Sequence, residues 1–175
     1  MCGFIHGCLS TYLGFYSLYY TCDGWEEGKT ALDNIDCFWN PKDIHYKIML
    51  NSAGYLIFDF ILYFFLVGAT GTLANQTYAH HILATLGFFT CCYIKEFGVV
   101  FSCISLVLEL STIFLNIRWF TFEFKIESKI VPLVNSSLLT ISYIIVRIIY
   151  QTYISFTIAY PWSYKMITER NPRGG

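Results

Sequence analysis

Charge is what this sequence has least of. Lys, Arg, Asp and Glu make up 13% of its 175 residues, against about 25% in an ordinary soluble domain. That scarcity excludes a soluble enzyme and a disordered chain. Net charge is only -1 and no basic run occurs, which excludes a nucleic-acid binder. No phosphate-binding glycine motif and no Ser-His-Asp arrangement is found anywhere. Zinc ligands on a helix recur at i, i+3 or i+4, whereas the neighbours His80 and His81 point about 100° apart. No metal site is expected.

What the chain has in abundance is apolar and aromatic side chains, 55% and 19% of the total. They fall in five blocks, 2–20, 48–67, 78–94, 97–115 and 130–159, with most charges between them. A helix needs about 20 residues to cross the hydrocarbon of a bilayer. The spacing therefore predicts an all-α, polytopic membrane helix bundle of about five transmembrane helices. The transmembrane domain is expected over 1–160, with the loop 21–47 outside the bilayer and 161–175 a short polar tail. The first block has no Lys or Arg before it and no small-x-small signal after Tyr20, so it reads as a retained span rather than a signal peptide.

Counting Lys and Arg gives seven on the side of the 21–47 loop and three on the other, which points that loop inward. The loop's six acidic residues dilute the bias. Five of the seven cysteines lie in apolar blocks as small packing residues. Cys22 and Cys37 share the loop and would form a disulfide only if it faced an oxidising compartment. Trp119 and Phe120, and Tyr160, Trp162 and Tyr164, sit at block ends as an interfacial aromatic belt. The run 122–127 alternates apolar and charged residues and reads as an interfacial helix end.

Polar residues inside the blocks recur at helical spacing. Ser102, Ser105, Glu109, Thr112 and Asn116 share one face, as do Ser52, Tyr55, Asp59 and Tyr63. Ser136, Thr140, Tyr143, Arg147 and Gln151 form a third seam; His6, Ser10 and Ser17, and Thr77, His81 and Thr85, form shorter ones. A charge facing lipid near mid-bilayer costs about 2.5–3.5 kcal/mol. Asp59, Glu109 and Arg147 must therefore turn inward, and Arg147 needs a carboxylate, Glu109 first and Asp59 second.

Tyr78-Ala79-His80-His81, then Leu108-Glu109-Leu110-Ser111-Thr112 and Asn116-Ile117-Arg118-Trp119-Phe120, resemble the TLC domain. That fold is shared by translocating-chain-associating membrane proteins, longevity-assurance ceramide synthases and the ceroid-lipofuscinosis membrane protein. Gly54-Tyr55-Leu56-Ile57-Phe58-Asp59 resembles the family's Gly-Tyr-Leu-x-x-Asp element, Val146-Arg147-Ile148 its fifth-helix arginine, and His6 its early histidine. The likeness runs along nearly the whole chain and is nearest to the non-synthase, transmembrane-56-like branch. It implies about six helices around a lipid-accessible cavity lined by His6, Asp59, His80, His81, Glu109, Asn116 and Arg147. It also implies a first helix that starts on the cytosolic side, against the charge count.

The synthase pattern continues with a second His-Asp and a later Asp, where this chain has Leu108-Glu109 and Thr112. Acyl transfer needs a positioned base and charge stabilisation, and His80, His81, Glu109 and Asp59 would supply only part of it. After Pro161-Trp162 no closing helix is apparent, so an incomplete TLC-like barrel is expected. The expectation is a non-catalytic membrane protein without a cofactor that holds a phospholipid or sphingolipid. It would serve as an accessory subunit among other membrane subunits. The family points to the endoplasmic reticulum; an orphan accessory chain suits the mitochondrial inner membrane and its respiratory complexes as well. The alternative is a lipid-modifying acyltransferase using His81 with Glu109 or Asp59.

Overall fold

Every regular element among the described residues is helical. The computed structural model describes all residues except 1, 69, 96–97, 129, 162–163 and 165–175. Helix α1 covers Cys2–Tyr20 without a single charged residue, and the Thr21 hydroxyl closes its last turn by donating to the Ser17 carbonyl at 2.8 Å. A short helix α2, Ile35–Trp39, lies within the following loop. Helix α3, Asp43–Ile61, runs on into a π turn, Leu62–Val67, which stops at Gly68 in left-handed backbone (φ 59°). Helix α4 spans Thr72–Ile94. Helix α5, Gly98–Glu123, changes to 3-10 geometry over Leu106–Glu109, and α6, Ile130–Ala159, carries π turns at Ile144–Tyr150 and Ser155–Ala159.

Three helices are long and apolar enough to cross a membrane: Asp43–Leu66, Gly98–Glu123 and Ile130–Ala159. The first and third apolar blocks are also continuous helices, α1 and α4, of 19 and 23 residues. His6 and Ser10 in one, and Asn75, Gln76, His80 and His81 in the other, lower their apolar character. The 122–127 segment ends α5 and then turns at Lys125 (φ 46°), which fits the helix-end reading. The tail 165–175 and Trp162 lie outside the described residues.

The chain folds as two units, residues 1–107 and 108–175. In the first, α1, α3, α4 and the start of α5 pack on one another. Their core holds Ile48, Met49, Val99, Cys103 and Leu106, with Leu13, Tyr16 and Phe88 against it. Gly14 permits the close approach of α1: a Cβ there would lie 2.6 Å from the Val107 amide nitrogen. Small residues serve the same purpose where membrane helices meet.

The 21–42 loop is folded onto this unit. Cys22 and Cys37 form a disulfide with Cα atoms 5.6 Å apart. That resolves the question the sequence left open. Asn34 caps α2 by accepting from the Cys37 amide at 3.2 Å, and its amide donates to the Asp23 carbonyl at 2.8 Å. Thr30 donates to the Asp33 carboxylate from both its amide and its hydroxyl, at 2.9 and 2.8 Å. These two bonds hold the Asp33 carboxyl below the usual carboxylate range, the amide bond contributing most. Phe38, on α2, is wholly buried.

In the second unit the latter part of α5 packs on the first part of α6. The Asn135 amide crosses between them to the Phe114 carbonyl at 3.0 Å. Here the sequence reading of the last seam needs correction. Asn135, Ser142, Val146, Ile154 and Ile158 are the buried positions, while Thr140 and Tyr143 are exposed. The buried face lies one residue before the polar seam, and does so already at Asn135 and Ser142, ahead of the π turn at Ile144–Tyr150.

Candidate functional site

Of the polar residues expected to face inward, His6, Asp59 and His81 lie in the first unit and turn toward its interior. On α3, Ser52 is buried, and Tyr55 and Asp59, half-buried, follow it on the same face. Helix α1 lays the His6 ring flat on the Tyr55 ring, with centroids 3.6 Å apart and planes 10° apart. The Ser10 hydroxyl, one turn on, lies 3.1 Å from His6 Nε2. From α4 comes His81, buried, its Nδ1 3.2 Å from the Leu56 carbonyl oxygen. Since a carbonyl only accepts, the shared proton sits on Nδ1. Nε2 then faces Asp59 Oδ2 at 3.6 Å. The two groups lie within ion-pair distance, so both ring nitrogens of His81 face groups of α3. The side chains of this pair are 10% and 25% exposed, which leaves the carboxylate reachable from outside the helix packing.

The remaining expected residues are placed differently. His80 is exposed, its ring edge-on to His81 with centroids 5.7 Å apart. Only one histidine of the pair is turned inward, as adjacent helical positions dictate. Glu109 and Asn116 are half-buried in the second unit; the Asn116 amide donates to the Thr112 carbonyl of its own helix at 2.8 Å. Arg147 does not pair with Glu109. Its Nε donates instead to the Ser111 hydroxyl at 2.9 Å, and its Cζ stands 5.8 Å from the Tyr143 ring centroid.

Comparison with known proteins decides the family. The family model for the TLC domain matches residues 1–172. This chain belongs to the TLC domain family. A relative, TLC domain-containing protein 4-B of Xenopus laevis, is 36% identical over 122 residues, covering 66% of this chain and 43% of the relative. The chain thus spans less than half the length of that relative. No solved structure matches the chain.

Several contacts of this TLC domain escaped the sequence reading. His45 is fully buried at the start of α3, its Nδ1 accepting from the Lys42 amide at 2.9 Å and its Nε2 2.7 Å from the Thr21 hydroxyl. The Cys103 thiol donates to the His45 carbonyl at 3.2 Å, tying α5 to the same point. A histidine among loop charges gave no sign of this; only its spacing of three from Lys42 hinted at a cap. The sulfurs of Cys22 and Cys37 and the His45 ring lie within 4.8 Å of one another. With both sulfurs bonded to each other, the group is a disulfide beside a histidine, without free thiolates for a metal. Ser111, the partner of Arg147, fell between the two seam positions Glu109 and Thr112.

Taken together, α1, α3 and α4 of the TLC domain present an aromatic-histidine stack, a hydroxyl and a His-Asp pair. Such a set can donate and accept hydrogen bonds to a hydroxyl, amide or ester of a lipid.

Proposed function

We propose that this TLC-domain membrane protein holds the polar end of a membrane lipid against His6, Tyr55, Asp59 and His81 without transforming it. The observation that carries the reading is the inward turn of His81 onto the Leu56 carbonyl and Asp59, inside helices whose outer faces are apolar. Hydrocarbon does not answer such groups, and a lipid head or its ester does. The departures at Leu108-Glu109 and Thr112 from the synthase pattern favour holding over acyl transfer. They also favour an accessory role within a larger membrane assembly.

The disulfide supports an orientation as well. A bridge persists where the compartment is oxidising, which favours a lumenal 21–42 loop, a cytosolic start for α1 and residence in the endoplasmic reticulum. The positive-charge count argues the other way, but its loop is mixed in sign and its bias correspondingly weak.

A second reading has one observation behind it. The Asp59–His81 gap of 3.6 Å would have to close by about half an ångström on substrate binding to reach general-base distance. The two are separated by purifying the chain in mild detergent and identifying the lipids that travel with it. Lipid retention that falls in His81→Ala, with no lipid converted by the wild type, supports the holding role. Turnover of an acyl donor that His81→Ala abolishes would replace it with the enzyme reading.

A further inference from the structure

Arg147 pairs with no carboxylate of its own unit among the described residues. It lies 17 residues from Ile130 and 12 from Ala159, and its partner Ser111 lies 13 from Gly98 and 12 from Glu123. Both therefore sit midway along their helices. The nearer helix end is about 18 Å away at a rise of about 1.5 Å per residue, well beyond the reach of an arginine stem, so the group cannot snorkel to water. Ser111 donates its hydroxyl proton to the Leu108 carbonyl at 3.0 Å, which turns its oxygen lone pair to Arg147 Nε at 2.9 Å. The Leu108 carbonyl lies in the 3-10 stretch of α5, where the α pattern of bonds is broken. The guanidinium is thus oriented through Nε, with Tyr143 beside it. Its terminal nitrogens make no hydrogen bond or ion pair within this unit among the described residues. A planar guanidinium so presented matches an oxyanion bidentately.

We infer that Arg147, positioned by Ser111, receives the oxyanion of a membrane lipid, a phosphate or a carboxylate. The inference rests on the lipid-holding reading only in taking a membrane lipid as the ligand, and it concerns a site of the second unit by itself. The source is lipid because the site is at mid-membrane depth, where free phosphate does not partition.

The test uses the full chain in phosphatidylcholine nanodiscs, titrated with fluorescent phosphatidic acid, spin-labelled stearate and, as neutral control, fluorescent diacylglycerol. Affinity for one of the two anions should fall about tenfold in Arg147→Gln and about threefold in Ser111→Ala, the sizes expected for charge-assisted hydrogen bonds. Diacylglycerol binding, and its dependence on His81, should not move, so failure of the anion site is distinguishable from failure of lipid holding. Arg147→Lys keeps the charge where Arg147→Gln does not assemble, and should bind with intermediate affinity. Unchanged binding of both anions by these variants would overturn the inference. So would displacement of either lipid by millimolar inorganic phosphate. Rescue of an unstable Arg147→Gln by Asp59→Asn or Glu109→Gln, with lipid affinity unmoved, would also overturn it, since the arginine would then be answered by protein.

Discussion

Replacing Gly14 by alanine should destabilise the first unit, although the same replacement at Gly87 should not. A Cβ at position 14 would stand 2.6 Å from the Val107 nitrogen and 2.9 Å from the Leu106 carbonyl carbon, both backbone atoms that no rotamer change can move. Ordinary contact is about 3.5–4.0 Å, so α1 must retreat from α5 by about 1 Å. A gap of that size forfeits a quarter to a half of the dispersion energy of each pair it opens, and overpacking of this kind costs about 1–3 kcal/mol. Alanine's better helix propensity returns at most about 1 kcal/mol. The net loss is therefore about 1 kcal/mol at the middle of these ranges and about 2 kcal/mol where overpacking is worst. At Gly87 a Cβ meets nothing within 4 Å, so only the propensity gain of up to about 1 kcal/mol remains. The assay is reversible unfolding in a titration of mixed micelles, followed by helical circular dichroism. Because α1 also carries His6, Gly14→Ala should weaken lipid retention in parallel. Equal or greater stability of Gly14→Ala relative to wild type would refute the close approach of α1 and α5.

Two further outcomes follow from the loop. Cys22→Ser with Cys37→Ser removes a bridge across a separation of 15 residues, worth about 3 kcal/mol by loop entropy; limited proteolysis should then cut between residues 23 and 42, whereas an unchanged digest would show that the bridge does not hold the loop. The Asp33 carboxyl, held down by the Thr30 amide first and its hydroxyl second, should titrate below an ordinary carboxylate in carbon-13 spectra. Its contribution is present above the ordinary carboxylate pKa and is lost as pH falls through the lowered one. Thr30→Val removes the hydroxyl bond and should raise the titration point; a midpoint that does not move would refute the cap.

The sequence exposed the helical character and the membrane habit because both rest on composition and period, which survive any detail of packing. His6, Ser10, Ser52, Tyr55, Asp59 and His81 were legible for the same reason: polar groups at spacings of three and four inside apolar blocks have one place to turn. Arg147 was legible as a charge in need of a partner, but Ser111 was not, because its choice depends on the 3-10 break at Leu106–Glu109. The buried face of α6 was misphased by one residue because packing on α5, as in the Asn135 bond to the Phe114 carbonyl, turns Asn135 and Ser142 inward rather than Ser136 and Tyr143. The disulfide stayed undecided because pairing depends on which compartment the loop meets, and the charge count answered that weakly. His45 passed for a loop residue: its burial comes from Thr21, Lys42 and Cys103, which only the folded chain brings together.

The central claim is that a lipid's polar end lies among α1, α3 and α4. Photo-crosslinking with a lipid that carries a diazirine near its head, followed by peptide mapping, tests it directly. Labels should fall on the turns of helix around His6, Tyr55 and His81 and should diminish in His81→Ala. Labels confined to the outward residues Phe65, Leu66, Leu83 and Tyr93, which are 70%, 79%, 68% and 88% exposed, and indifferent to His81, would contradict it.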